Sequence, residues 1–342
     1  MNHLLTVADA VATHARLRPH KLGARDSRRA LTFAQWHARA TRLANALLGL
    51  GLAPGDRVAL LAYNCVEWME LYAALAAAGL VAVPINFRLT APEIAYIAGH
   101  SEARAFVVQD DLLDRVQPLR GDLADVLPQG WVHFGGAATP AGWQGYEALI
   151  GAAGTQPPAV AVQPGDPCAL MYTSGTTGRP KGAVRSHEGN TLIALATALE
   201  MGFGRDDTAL LVMPLCHANS LYFSHTFVHL GATCVVDDRR SFDPEALLAT
   251  LAREKVTFTS LVPTHYIMML ALPAEVKARH DVSAVAKLMI SSAPARRETK
   301  LAILEHFRNG RLYELYGSTE AGWVTLLRPE DQLDKLGTVG RE

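Results

Sequence analysis

The sequence predicts an α/β protein built from two doubly wound β/α lobes. Short apolar runs alternate with segments of helical length, and this alternation occurs twice, on either side of a stretch rich in Pro, Gly and Ala at about residues 110–167. Strands that alternate with helices in this way form parallel βαβ units. We expect lobe one at about residues 51–200 and lobe two at about residues 1–50 plus 205–325.

Helix starts in the N-terminal part are marked by pairs of capping residues, in which a small polar side chain and an acid or amide three residues later bond each other's backbone. The pairs are Thr32 with Gln35, Asn64 with Glu67, and Thr90 with Glu93. Glycines that can end the helices follow at Gly49 and Gly51, at Gly79, and at Gly99. The apolar runs after them predict strands at residues 58–63, 81–85 and 105–109.

The second round of alternation begins with an apolar strand that leads into residues 172–182, and a helix is predicted after His187. Further strands are predicted at residues 208–215, 232–238, 256–263, 287–293 and 311–317. Asp243 before Pro244 marks a helix start, because proline at the first helical position loses no hydrogen bond. Residues 110–167 are interpreted as a connecting strap, with short elements around Val132 or Tyr146 left open.

The composition limits the kinds of partner. The chain has 342 residues, 49% of them hydrophobic, and a formal net charge of -1, which gives no electrostatic basis for binding nucleic acid or an anionic membrane surface. Its 4 cysteines are scattered without a C-x-x-C pair, which argues against a zinc site or a disulfide framework and for a reduced, cytoplasmic setting. Residues 1–20 lack the pattern of a signal peptide, and the longest apolar stretch, near residues 73–85, is too short to span a bilayer.

Residues 172–182, YTSGTTGRPKG, have the small residues, hydroxyls and lysine that suit a polyphosphate. Gly175 and Gly178 can adopt backbone angles that turn several N–H groups toward one anion, and Lys181 adds a positive charge. The hydroxyl donors are Thr173, Ser174, Thr176 and Thr177. The string is not a Walker A loop, because Pro180 precedes the lysine and Gly182 follows it. A mobile surface turn is the structural alternative.

Two further strings follow predicted strands, where ligands of parallel sheets bind. In YGSTEAG, Thr319 offers a hydroxyl and Glu320 an oxygen ligand that magnesium prefers. The alternative is a helix start capped by Ser318. MPLCHANS places His217 after a strand, where a structural role is the alternative to a substrate-positioning one.

Together these strings resemble the signatures of the adenylate-forming superfamily, which includes acyl-CoA synthetases, luciferases and the adenylation domains of peptide synthetases. Residues 172–182 resemble its phosphate-binding signature, and residues 316–320 match its Y-G-x-T-E segment. Residues 290–294, ISSAP, resemble its G-A-P-like segment beside the adenine and the acyl carbonyl. LTF at residues 31–33 and PINFRLTAPEIAYI at residues 84–97 are more similar to the acyl-CoA synthetase branch.

The resemblance implies ATP and magnesium as cofactors, CoA as co-substrate, and a role for each matching residue. The implied nucleotide contacts are Thr173, Ser174, Gly175, Thr176, Thr177, Gly178, Lys181, Ser292, Ala293, Pro294, Tyr316, Gly317 and Thr319. Glu320 and Thr176 are the implied magnesium contacts, and the implied catalytic residues are Lys181, His217, Thr319 and Glu320. The implied acid pocket contains His217, Ala218, Tyr266, Ser291, Ser292 and Gly317, with ordinary core packing as the alternative for Tyr266. Ser291 and Ser292 replace residues that are often glycine, and their side chains would narrow the cleft.

The implied function is that of an ATP-dependent acyl-CoA synthetase, which converts a carboxylic acid to an acyl-adenylate and then to a thioester. Medium- or long-chain fatty acids are favoured, with aromatic or alicyclic acids next. Two alternatives stay open: an acyl-AMP ligase that loads a carrier protein, and a non-catalytic nucleotide- or acyl-binding remnant of the fold. The partners implied are small molecules, with no nucleic acid and no integral membrane association, and homodimerisation is left open.

The resemblance also sets expectations for the end of the sequence. Residues 337–340 resemble the start of the next subdomain, so residues 326–342 are expected to begin a small β-barrel. The segment whose aspartate binds the ribose, and the mobile C-terminal domain with its catalytic lysine, have no counterpart in the sequence. We therefore expect residues 1–342 to form an N-terminal AMP-binding domain that turns over very slowly by itself, since loss of one well-placed cation costs about a hundredfold in rate.

Overall fold

A computed structural model describes residues 6–173 and 178–342. These residues form two compact units, the first containing residues up to Ala24 together with Arg29–Leu192, and the second containing Arg25–Arg28 together with Ile193–Glu342. Each unit has its own parallel-rich sheet with helices, so the predicted α/β class with two β/α lobes is confirmed. The predicted lobe boundaries stay a prediction.

The elements up to α7 are nine strands and seven helices within the described residues. In chain order they are α1 (Val7–Leu17), β1 (Leu22–Arg25), β2 (Ala30–Thr32), α2 (Phe33–Gly49), β3 (Arg57–Leu61), α3 (Glu67–Ala78), β4 (Val81–Ile85), α4 (Ala91–His100), β5 (Ala103–Gln109), α5 (Leu113–Val116), β6 (Trp131–Phe134), β7 (Gln144–Gly145), α6 (Tyr146–Ala152), β8 (Pro167–Thr173), β9 (Lys181–Ser186) and α7 (His187–Met201). Short 3₁₀ turns flank α5 at Asp110–Leu112 and Gln117–Gly121.

The sheet of the first unit has the strand order β7-β6-β5-β3-β4-β8-β9. Neighbouring strands are parallel except β8 and β9, which are antiparallel. Fully buried side chains such as Leu61, Val83 and Phe106 form its core, against Ile94 from α4. Burial of each such side chain contributes about 1.5–3 kcal/mol, so this core fixes the sheet that carries the β8–β9 hairpin.

Two of the three predicted capping pairs are confirmed. The Thr32 hydroxyl accepts from the Gln35 backbone N–H at 3.2 Å while the Gln35 side chain accepts in return at 2.9 Å, and Thr90 pairs with Glu93 in the same way. The prediction for Asn64 is wrong. Helix α3 is capped by Val66, whose own backbone is already helical, so the turn begins after Asn64.

The predicted stop at Gly99 is one residue early. Helix α4 continues through Gly99 to His100, and the left-handed turn that ends it is made by Glu102, with φ 50°. Gly79 does end α3 in the left-handed conformation, as predicted, with φ 66°.

The predicted strap is more ordered than the sequence suggested. Strand β6 extends the sheet parallel to β5, and α6 begins at Tyr146, which confirms the short elements around Val132 and Tyr146. Residues 122–130, 135–143 and 153–166 connect these elements without helix or strand. Strand β6 was hard to predict because its four buried residues, WVHF, are too few to show a period.

The second unit continues with strands and shorter helices. They are β10 (Thr208–Leu211), α8 (Ala218–Leu230), β11 (Thr233–Val236), α9 (Pro244–Arg253), β12 (Phe258–Leu261), α10 (Pro263–Leu270), α11 (Ala274–Lys277), β13 (Lys287–Ser291), α12 (Arg297–His306), β14 (Arg311–Ser318) and β15 (Gly322–Leu327). A 3₁₀ turn follows at Pro329–Asp331. The predicted helix start at Asp243 is confirmed, since its side chain accepts from the Ala246 N–H at 3.0 Å.

Within the second unit, the strand order is β15-β14-β13-β12-β10-β11. These neighbours are parallel except β14 and β15. Leu251, Tyr266, Ile290 and Leu312 belong to its fully buried core. The carboxyl ends of β10, β12, β13 and β14 therefore lie at one edge, where ligands of such sheets bind. No helix among residues 6–173 and 178–342 combines the length and apolarity needed to cross a bilayer.

Candidate functional site

The first motif forms the end of an antiparallel hairpin. Thr173, the last residue of β8, lies opposite Lys181, the first residue of β9. Gly178 has φ 89°, an angle that favours glycine, as the sequence predicted. The candidates Ser174, Gly175, Thr176 and Thr177 lie outside the described residues. Strand β9 was not predicted, because its half-exposed residues lack the apolar run of the buried strands.

The base of this hairpin is held by α4. The Tyr172 hydroxyl hydrogen-bonds His100 Nδ1 at 2.7 Å, and the Tyr96 hydroxyl donates to the Pro180 carbonyl at 3.2 Å. Burial, with a contribution from Tyr96, raises the pKa of Tyr172 to about 12, so the phenol stays protonated at neutral pH. The Lys181 side chain is exposed beyond this anchored base. It is thus accessible to an anionic ligand.

The second motif also closes an antiparallel hairpin. Ser318 at the end of β14 lies opposite Gly322 at the start of β15, so Thr319, Glu320 and Ala321 form the turn. The Ser318 hydroxyl accepts from the Ala321 N–H at 3.0 Å. The alternative of a helix start is therefore wrong: Ser318 caps a turn between two strands.

Gly317 is required by the packing of this hairpin. A Cβ atom at this position would collide with the backbone carbonyl oxygen of Gly322 on the opposite strand. The register of β14 and β15 also shifts between Tyr316 and Gly317, as in a β-bulge. This bulge precedes the turn that carries Thr319 and Glu320, and leaves Tyr316 52% exposed.

Glu320 presents an exposed carboxylate on the turn. The residue before it, Thr319, is held by a hydrogen bond from elsewhere in the second unit. The Tyr222 hydroxyl of α8 donates to the Thr319 carbonyl at 3.1 Å. Magnesium bound with a nucleotide uses one or two protein carboxylates plus phosphate oxygens, so Glu320 fits as its protein ligand. Groups of three or more His, Cys, Asp or Glu that could hold a metal without a nucleotide are not found among the residues described.

His217 is the N-cap residue of α8 and is exposed, next to the half-buried Ala218. Two residues later, the Asn219 side-chain amide donates to Ser260 Oγ at 3.1 Å and to Ser291 Oγ at 2.9 Å. The start of α8 is thereby tied to the carboxyl ends of β12 and β13. The sequence did not identify Asn219 and Ser260, although Asn219 lies in the same string as His217.

The ISSAP segment leaves the sheet in a strained turn. Ser291 is buried, whereas Ser292, Ala293 and Pro294 are exposed. Ser292 has φ 69°, a left-handed angle that is unfavourable for a residue with a Cβ atom. The exposed residues of this segment are accessible to a ligand.

Tyr266 lies in the core of the second unit. Its side chain is fully buried, and its hydroxyl donates to the Met289 carbonyl at 3.0 Å. Burial raises the pKa of this phenol well above its usual value. These contacts favour the core alternative that the sequence left open.

The second unit therefore brings together several predicted site residues. Asn219 links the start of α8 to Ser291, and Tyr222 links α8 to the turn at Thr319. The prediction that Lys181 and Glu320 contact the same ATP stays a prediction.

Two parallel-rich sheets with helices, each sheet carrying one of the two motifs on an antiparallel hairpin, indicate an N-terminal domain of the adenylate-forming kind. The chain belongs to the family of AMP-binding enzymes, whose sequence profile matches residues 10–342.

Similar proteins support this membership. The chain is 34% identical over 328 residues to a feruloyl-CoA synthase of an Amycolatopsis species, a match that covers 95% of this chain and 62% of the relative. It is 33% identical over 340 residues to an indoleacetate–CoA ligase of Aromatoleum aromaticum, covering 98% of this chain and 64% of the relative. Among solved structures, the inhibitor-bound N-terminal domain of FACL13 from Mycobacterium tuberculosis matches with a TM-score of 0.87 and 29% identity, over 98% of this chain and 82% of that one. The chain thus spans less than two thirds of the length of the feruloyl-CoA synthase and of the indoleacetate–CoA ligase.

Proposed function

We propose that this chain is the nucleotide- and acid-binding part of an AMP-forming carboxylic acid:CoA ligase. The observation that supports this proposal is the hairpin of β14 and β15, which presents Tyr316, Thr319 and Glu320 at the carboxyl edge of a parallel sheet in a member of the AMP-binding enzyme family. The substrates proposed are a carboxylic acid, ATP and CoA, with magnesium as the metal.

The reaction has two steps. An oxygen of the acid's carboxylate attacks the α-phosphorus of ATP, the bond to the bridging oxygen breaks, and pyrophosphate leaves with that electron pair. The sulfur of the CoA thiolate then attacks the acyl carbon, and AMP leaves. Because the carboxylate is already an anion, the first step needs no general base.

The protein's contribution to the first step is electrostatic. Negative charge increases on the α-phosphate and on the leaving pyrophosphate, so cations and N–H donors placed there lower the barrier. We assign Lys181 and the loop N–H groups to the phosphates and Thr319 to the α-phosphate. Tyr316 is proposed to stack on the adenine. Bound magnesium, held by Glu320, supplies further positive charge.

His217 is proposed to position the acid. It is exposed at the start of α8, whose next residues contact Ser260 and Ser291 through Asn219. The Asn219 Oδ1 atom is buried without a hydrogen-bond partner in the described part of the chain, so this region is more polar than an ordinary core. These polar groups near His217, together with the acids named for the two relatives, support proposing aromatic acids equally with fatty acids as substrates.

Pyrophosphate release tests the proposal. The full-length protein is assayed with ATP, magnesium and a panel of carboxylic acids, half of them fatty acids and half aromatic acids, and the thioester is then measured with CoA or with a phosphopantetheine carrier protein. We expect acid-dependent pyrophosphate release and a CoA thioester. Release without transfer to CoA, but with transfer to the carrier, would assign the protein to carrier loading. No release with any acid would indicate a non-catalytic binding protein and overturn the proposal.

A further inference from the structure

The second unit contains a buried ion pair beside the ISSAP segment. Lys300 of α12 and Glu314 of β14 are 2.5 Å apart, Nζ to Oε2, and their side chains are 1% and 4% exposed. Both groups are therefore almost completely removed from water, which is unfavourable for an ion unless a partner compensates for the lost hydration.

The second carboxylate oxygen of Glu314 holds the backbone of the turn. The N–H of Ala295, directly after the ISSAP segment, donates to Glu314 Oε1 at 3.3 Å. In the sheet, Ile290 lies opposite Glu314 and Ser291 opposite Leu315, so the chain leaves β13 next to Glu314 and returns to it at Ala295. Glu314 thus closes a short loop that contains residues 292–294.

This loop needs to be held, because Ser292 has a left-handed backbone at φ 69°. Such a conformation in a residue with a Cβ atom persists only where the surrounding structure fixes it. The contacts on either side are the β13–β14 pairing before Ser292 and the Glu314–Ala295 hydrogen bond after it. Residues 292–294 between these contacts are exposed.

A buried ion pair contributes little net stability, since apolar residues of similar size can often replace it at no loss. Stability alone is therefore a weak reason for two charges at this position. The geometry gives a different reason: one oxygen of Glu314 accepts from the Ala295 N–H and the other accepts from Lys300 Nζ, so the lysine fixes the orientation of the side chain that holds the turn.

We infer that Glu314 and Lys300 are positioning residues, which hold the turn at residues 292–295 in the shape that receives the nucleotide. The inference depends on the proposed function, because it assigns the turn to the nucleotide site. Neither side chain touches the substrate in this scheme. They act through the backbone of Ala295.

Two double variants separate positioning from stability. Glu314→Leu with Lys300→Met removes the charges and the acceptor for the Ala295 N–H. Glu314→Gln with Lys300→Met also removes the charges but keeps an amide oxygen that can accept this bond. A matched control, Glu254→Leu with Arg25→Met, removes an ion pair of 3.2 Å elsewhere in the same unit.

Thermal unfolding, binding of ATP and AMP, and the KM for ATP are measured for each variant. We expect a modest fall in melting temperature in both test variants, because the Leu/Met variant leaves the Ala295 N–H without an acceptor and the Gln/Met variant leaves a buried amide N–H group without one. We expect the Leu/Met variant alone to raise the KM for ATP, by about tenfold to a hundredfold, as a displaced binding group does. The Gln/Met variant and the control should stay near the wild-type value.

Equal KM values for the Leu/Met and Gln/Met variants would overturn the inference. Leu251→Ala weakens the core of the same unit and serves as a control for stability. If this variant raises the KM for ATP as much as the Leu/Met variant at the same loss of stability, the inference is also overturned. The wild-type protein separates this failure from failure of the proposed function. A wild type that binds no ATP and releases no pyrophosphate refutes the function itself, whereas an active wild type with insensitive variants refutes only the positioning role.

Discussion

Glu320 is an exposed carboxylate on a short turn, and its proposed role depends on charge more than on packing. A glutamine has nearly the same size and can form similar hydrogen bonds, but it cannot offer magnesium an anionic ligand. Fold and function can therefore be separated at this residue.

We predict that Glu320→Gln lowers magnesium-dependent pyrophosphate release by about a hundredfold or more, with the melting temperature almost unchanged. The comparison is with Glu305→Gln, which changes an exposed carboxylate on α12. Both rates are measured across a range of magnesium concentrations. Wild-type turnover in the Glu320 variant would remove this residue from the site.

At Gly317 the expected effect of a substitution comes from packing. We predict that Gly317→Ala destabilises the protein by roughly 1–3 kcal/mol, because the new Cβ atom would collide with the Gly322 carbonyl and separate the strands of the hairpin. The control is Gly204→Ala, since nothing lies within 4 Å of a Cβ added there. Urea unfolding gives both values, and equal values would show that the hairpin accommodates the methyl group.

At the scale of elements, α7 begins with a buried histidine directly after β9. His187 is 3% exposed, and its Nε2 atom has no hydrogen-bond partner among residues 6–173 and 178–342. Burial lowers the pKa of His187 to about 4, although the nearby Asp166 opposes this shift. The folded protein therefore keeps this imidazole neutral at pH values where an unfolded chain would protonate it.

The consequence is a pH-dependent stability. Between the folded pKa of about 4 and the unfolded pKa of about 6.5, the unfolded state binds more protons, so the free energy of unfolding rises with pH. The part of the free energy of unfolding that depends on His187 reaches its full value above about pH 6.5 and is lower by about 2 kcal/mol at pH 5. We predict that His187→Leu removes this part of the dependence. Urea unfolding at pH 7.5 and pH 5 measures it, and a wild-type pH dependence in the variant would contradict the assignment.

The anchor of the second hairpin gives another prediction for an element. Tyr222→Phe removes the hydrogen bond from α8 to the Thr319 carbonyl, which contributes about 0.5–1.5 kcal/mol to stability. We expect a small loss of stability but a larger rise in the KM for ATP, since the turn that carries Thr319 and Glu320 loses its support. A change in stability alone would limit Tyr222 to packing.

The elements that the sequence predicted well are those with a local chemical signature. The capping boxes at Thr32 and Thr90 depend on contacts three residues apart, which the sequence shows directly. Strands β9 and β15 were missed because each is stabilised mainly by pairing with the strand before it. That pairing depends on register across the hairpin, and no local period reveals it.

The candidate site shows the same difference between features that are local in the sequence and features that depend on distant contacts. Lys181, Thr319 and Glu320 were identified because they lie in short strings. The groups that hold the second hairpin and the ISSAP turn come from elements far apart in the sequence, such as Tyr222 and Lys300. A buried lysine in a helix has no distinctive neighbours along the chain, so only the folded structure reveals Glu314 as its partner.

For the whole molecule, the main prediction concerns Lys181 and Glu320, which lie in different units. If both contact the phosphates of one ATP, the effects of Lys181→Met and Glu320→Gln on kcat/KM for ATP should not add. We expect a coupling of about 0.5–3 kcal/mol in a double-mutant cycle. Lys335→Met combined with Glu320→Gln is the additive control. Additivity within about 0.5 kcal/mol for the first pair would indicate two separate sites.

Strands β9 and β15 each lie at the outer margin of the strand order described for their unit, and each follows one of the two motifs. In that order each has one neighbouring strand, and β15 has in addition only an isolated bridge between Leu326 and Arg341 among the described residues, so shifts in the backbone of either strand need not pass into the parallel strands within. Natural variation or laboratory selection could therefore retune nucleotide preference by altering either hairpin tip, while the parallel framework, and with it the ability of the chain to fold, is inherited unchanged.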